Sequence, residues 1–195
     1  MIETSRQALH DLVCTLPLYL STSSVGEVTL SGIAFTLSNL LSAAIVTSND
    51  RILLPLLTTL AFLLDAHVLH SLLAFKPPSS LVDNLPPTPL QLLSVTQKAH
   101  YKSTSLPKLL ICIDIYRSLS EFDTIRAEVL KKLVSMLLHP FPRVRVAAAE
   151  ALWVACMVSD KTKDALTMLG QGKWAENVDV HMKEAVRVIR GNVLG

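Results

Sequence analysis

The chain has 195 residues with a formal net charge of +2, and half of them are hydrophobic while only 5% are aromatic. That length holds a buried core, and few glycines and aromatics favour helices over strands. Residues 1–100 carry four Lys/Arg against six Asp/Glu and residues 101–195 fourteen against ten, so neither half is basic enough for nucleic acid. Cys14, Cys112 and Cys156 are far apart in apolar surroundings, the pattern of buried thiols in a reducing compartment and not of a disulfide framework. Met1-Ile2-Glu3 opens without the basic and apolar segments of a secretory leader, so a cytoplasmic location is expected.

A first helix is expected over 3–16, with Leu9, Leu12, Val13 and Leu16 on one face and Pro17 ending it. A second runs from about Glu27 to Thr47, carrying Leu30, Ile33, Ala34, Leu37, Leu41, Ala44 and Ile45 at helical spacing. Its uncharged stretch 28–49 is long enough to span a bilayer. Thr29, Ser31, Thr36, Ser38, Asn39, Ser42, Thr47 and Ser48 interrupt it, which favours a buried helix over membrane insertion. After Ser48-Asn49-Asp50 a third helix extends from Arg51 into the His70 region, tolerating Pro55 only near its start. His67 and His70 would share a face of that helix at i, i+3, but no third ligand accompanies them in the sequence, so no metal site is expected. Residues 76–89 hold five of the ten prolines and read as a loop or hinge between a first set of helix pairs (1–75) and a second (90–195), together one domain.

In the second set, helices are expected over 90–100, 106–119 and 124–138. The densest signal follows. Leu130, Leu133, Val134 and Leu137 form an apolar stripe, His139-Pro140-Phe141-Pro142 stops it, and Pro142 starts the next helix, where its missing N–H is not needed. That helix repeats Val144, Ala147, Ala148, Ala151, Leu152 and Ala155 on one face. Val146, Ala149, Trp153 and Met157 lie on its other side and read as packing against a further repeat. Asp160 would cap a helix through Leu169, Gly170-Gln171-Gly172 would turn the chain, and Asn177 or Asp179 would open a last helix to about Arg190.

Helix, proline corner, Val-Arg and small residues at fixed offsets resemble a HEAT repeat. Pro140, Phe141, Pro142, Val144, Arg145, Ala148 and Leu152 carry the resemblance, and Ile125-Arg126 stands one helix earlier where Val144-Arg145 stands. The expected fold is therefore all-α, an α-solenoid of antiparallel helix pairs of the HEAT/armadillo kind, with about forty residues per pair. Arg145 would hydrogen-bond near its own corner.

Residues 49–60 (NDRILLPLLTTL), Lys108-Leu109-Leu110 leading to 139–145 (HPFPRVR), and Trp174 with the closing helix are together similar to the tubulin-folding cofactor D family, over residues 25–195 and in its C-terminal domain only. The resemblance implies a non-enzymatic chaperone without cofactors. It would bind β-tubulin and the αβ-tubulin heterodimer, meet tubulin cofactors E and C and an Arf-like small GTPase, and stimulate tubulin GTP hydrolysis within that complex, in the cytoplasm and at microtubules. The arginine acting in that hydrolysis would come from cofactor C, so neither Arg143 nor Arg145 is assigned a catalytic role. Lys131, Lys132 and Arg143 form a basic cluster around the corner that reads either as a solvated face or as a contact for the acidic surface of tubulin. The competing reading is a HEAT scaffold unrelated to tubulin, since a fold alone does not fix what is bound.

Overall fold

A computed structural model describes residues 7, 11, 29–74, 85–157 and 163–194. The described residues form nine helices: α1 (Leu30–Val46), α2 (Asp50–Asp65), α3 (His70–Ala74), α4 (Pro89–His100), α5 (Leu106–Leu119), α6 (Asp123–Met136), α7 (Pro142–Cys156), α8 (Lys163–Gln171) and α9 (Val180–Leu194). No strand occurs among them. Most of the first expected helix, the Asp160 cap and most of the proline-rich loop lie outside the described residues. No described helix is long and apolar enough to cross a membrane. The chain divides into two compact units, Met1–Ala99 and His100–Gly195.

In the first unit α1 and α2 pack as an antiparallel pair. Thr29 caps α1, its hydroxyl accepting the Gly32 N–H at 3.0 Å. Leu30, Ala34, Leu37, Leu41 and Ala44 bury the stripe that the spacing predicts, against Leu53, Leu57, Leu60 and Leu64 of α2. Both helices end in the same way. Ser48 takes φ 52°, its N–H donates to Ile45 O, and the Asn49 N–H donates to Ala44 O. His67 takes φ 55°, its N–H donates to Leu64 O, and the Val68 N–H donates to Leu63 O. These paired bonds are Schellman closures, which usually place glycine at the left-handed residue.

The third helix therefore stops at Asp65 instead of running on to His70, and no glycine in the sequence announces it. Pro55 lies in the second turn of α2, deeper than its ring is comfortably tolerated. Thr88 and Gln91 cap α4 reciprocally: the Thr88 N–H donates to Gln91 Oε1 at 2.8 Å and the Gln91 N–H to Thr88 Oγ1 at 3.2 Å, with Pro89 in the first turn.

In the second unit α7 is central and packs on α5, α6 and α8, while α9 packs on α6 and α8. Ala148, Ala151 and Ala155 keep side-chain volume small where α7 meets its neighbours, and Val144 and Leu152 are fully enclosed. Neighbouring helices joined by short turns give the all-α architecture of an α-solenoid. Asp179 caps α9, accepting the Met182 N–H at 2.7 Å.

Candidate functional site

The corner between α6 and α7 is organised by a buried guanidinium. Arg145, one turn into α7, is 1% exposed. Its Nη1 donates to the carbonyls of His139 at 2.7 Å and Pro140 at 3.0 Å, which the prolines leave without intrahelical partners. Its Nε donates to the Trp174 carbonyl at 2.9 Å, and its Nη2 donates to the Glu176 carbonyl. Among the described residues no carboxylate pairs with it, so four backbone dipoles hold the charge.

Arg126 does the same one helix earlier. It donates through Nη1 to Ser120 O at 2.8 Å and through Nη2 to Ala155 O. Each arginine thus reaches back six residues to its own corner and forward 29 residues, Arg126 to Ala155 near the end of α7 and Arg145 to Trp174 just after α8. This repetition is the structural content of the Ile125-Arg126 and Val144-Arg145 pattern. Only a forked, always-charged donor spans two carbonyl groups on different turns.

The remainder of the corner is aromatic and titratable. Phe141 N–H donates to His139 Nδ1 at 3.2 Å, and the His139 ring leans on Phe141. Burial, with the Arg145 charge behind it, holds the His139 pKa below its ordinary value. His100 Nε2 lies 2.6 Å from Tyr116 Oη. Burial pushes the Tyr116 hydroxyl up, so it keeps its proton and is able to donate to a His100 Nε2 that carries none. Burial also drives His100 down to about 4, with Lys132 and His139 adding repulsion against a raising backbone hydrogen bond.

Lys131 and Arg143 are exposed, and Lys132 is half-buried near His100 and His139. None of these three cations is in an ion pair among the described residues. Phe141 and Pro142 are exposed beside Arg143, while Val144, Ala148 and Leu152 belong to the core beneath the corner. The exposed corner can therefore offer cations, and its buried part can only hold them in place.

Cys112 and Cys156 are buried and share no disulfide, burial raises both, and Cys112 reaches about 12. His67 and His70 do not share a helix, since His67 occupies the left-handed turn. Their Nδ1 atoms lie 3.2 Å apart, the separation of a hydrogen bond between the rings.

A second surface was not expected from the sequence. Trp153 is 36% exposed and Met157 63% exposed, so the outer face of α7 is not closed by packing as its all-round apolarity suggested. Gly170, near the end of α8, brings that helix close to Trp153 of α7, and Gly172 follows just after it. A Cβ on Gly170 would stand 2.7 Å from the Trp153 ring, and one on Gly172 would overlap the Trp174 indole. Trp174 is buried, and its Nε1 donates to the Leu169 carbonyl at 2.8 Å at the end of α8. Between these elements lies an open groove of about 380 Å³.

Helix pairs whose corners are tied by arginines to backbone carbonyls, and no strand among the described residues, define an all-α helical-repeat protein. The family model described as tubulin folding cofactor D C terminal matches residues 1–108. The chain belongs to that family, and the match ends at Lys108 in α5, before the Arg126 and Arg145 corners. No curated protein and no solved structure matches the chain.

Proposed function

We propose that this chain acts as a binding domain in the assembly of αβ-tubulin heterodimers. It would engage β-tubulin and the heterodimer in the cytoplasm and at microtubules, together with tubulin cofactors E and C and an Arf-like small GTPase. In this reading it carries no catalysis of its own, and any stimulation of tubulin GTP hydrolysis belongs to the assembled complex. Family membership over residues 1–108 is the observation that carries the reading. The second unit adds a surface of suitable chemistry. Lys131, Lys132 and Arg143 surround a corner whose backbone is fixed by Arg145, so cations are displayed on a rigid support. An acidic protein surface is the complementary partner, with charge governing encounter more than final affinity.

The test is size-exclusion chromatography of the full chain with GTP-loaded αβ-tubulin, alone and with cofactor E and the Arf-like GTPase added. Co-elution with tubulin, weakened in the triple variant Lys131→Glu, Lys132→Glu, Arg143→Glu, is the expected result. Circular dichroism establishes that the variant is folded. Binding that needs the other factors would make the chain a docking module of the larger complex. No co-elution of a folded chain in any mixture would sink the tubulin reading and leave a scaffold for other partners.

A further inference from the structure

The groove between α7 and α8 has a chemistry unlike the basic corner. Val146, Ala149, Trp153, Leu169 and Trp174 supply apolar and indole surface, and Glu150 supplies the one charge among its lining residues. Glu150 is exposed and makes no ion pair among the described residues. Lys173, the basic residue nearest in sequence to the Trp174 side of the groove, is committed to Glu176 at 3.3 Å. On α7 itself Arg143 lies seven residues before Glu150, about 10 Å along the helix axis at 1.5 Å per residue.

The walls are set before anything binds. Trp174 is held through its carbonyl by Arg145 Nε at 2.9 Å and through its indole N–H by Leu169 O at 2.8 Å. Trp153 rests on Gly170, which leaves no Cβ to fill the gap. Val154 also lines the groove, and it and Met157 just past the end of α7 are well exposed.

We propose that this groove receives an arginine side chain of a partner polypeptide, its stem against the two indoles and its guanidinium at Glu150, with apolar neighbours of that arginine on Val154 and Met157. Indole faces attract cations, and a guanidinium both stacks on them and pairs with a carboxylate. The single unpaired negative charge within an otherwise apolar lining selects a cation over a purely apolar anchor. Because the walls are already held by Arg145 and Leu169, little ordering cost opposes binding. The site is independent of Lys131, Lys132 and Arg143 and does not rest on the tubulin reading.

Trp153 and Trp174 are the only two tryptophans in the chain, so tryptophan emission reports on this groove alone. The full chain is titrated with an acetylated, amidated Gly-Leu-Arg-Leu-Gly peptide and with the same peptide carrying citrulline, which keeps the shape and removes the charge. A saturable change in emission is expected, with the arginine peptide tighter by about two- to thirtyfold. In Glu150→Gln, an exposed change that leaves the groove standing, that ratio should collapse. Equal affinity for the two peptides, no emission change with either, or a ratio unchanged in Glu150→Gln would each overturn the proposal. Emission that shifts with protein concentration alone would place a second copy in the groove and overturn it as well.

Discussion

Replacing Arg145 by Met tests whether the corner is held by its guanidinium. Methionine keeps an apolar stem of similar reach and removes every donor. The carbonyls of His139, Pro140, Trp174 and Glu176 then lose their partners. Those of His139, Pro140 and Glu176 belong to residues at the surface, where water can replace the bonds in part. The Trp174 carbonyl lies inside, and an orphaned buried acceptor costs about 1–3 kcal/mol. Against this stands relief from burying a guanidinium with no carboxylate beside it, a term that can favour the apolar replacement.

The unsatisfied acceptors should win, leaving a net loss of about 3 kcal/mol, because four charged hydrogen bonds disappear and only solvent-facing ones are replaced. At 2–4 °C per kcal/mol the melting temperature should fall by about 6–12 °C. Both tryptophans lie in the second unit, so thermal and urea unfolding followed by their emission reads this corner directly. Arg145→Lys should fall between, since an ammonium cannot fork across both carbonyl groups. Arg126→Met should cost less, having two bonds to lose and a half-buried position. An Arg145→Met chain within about 1 kcal/mol of the parent would refute the account, because the relief of desolvation would then equal the clamp.

Three further outcomes are expected. Gly172→Ala should displace the Trp174 indole, break its bond to Leu169 O, and shift tryptophan emission to the red while lowering stability by about 1–3 kcal/mol; unchanged emission would show that the loop absorbs the methyl. His100, held near 4 in the fold against an ordinary 6.5, gives stability that is complete above about pH 6.5 and is lost as pH falls toward 4. That loss amounts to about 3 kcal/mol, and urea midpoints across this window should decline less in His100→Gln, which can still accept from Tyr116. Pro55→Ala should restore an intrahelical N–H in α2 and raise stability by about 1–3 kcal/mol by circular dichroism melting; no gain would mean that the helix bends to suit the ring.

The helices most legible in the sequence are those whose ends are written in residue types. Pro142 at the start of α7 and Asp179 before α9 announce themselves, because a missing N–H or a carboxylate acts locally. Thr88-Pro89-Leu90-Gln91 carries an equally local signal, a capping box that fixes α4 at Pro89. The end of α2 is different. Its left-handed residue is His67, which pays no visible tribute to glycine and is held there by the bonds of Leu63 and Leu64 carbonyls, so periodicity alone carries the helix too far.

Sequence by itself determined the helical class, the apolar stripes, the proline corner and the recurrence of Arg126 and Arg145, since each depends on spacing along one chain. Only the tertiary structure decided where those arginines reach. Their forward partners lie 29 residues away, at positions where any residue supplies the same carbonyl, so no side-chain pattern marks them. The same holds for the groove. Trp153, Gly170, Gly172 and Trp174 look like packing and turn residues in sequence, and only the fold brings them together with Glu150 around one groove while Trp153 and Met157 stay partly exposed.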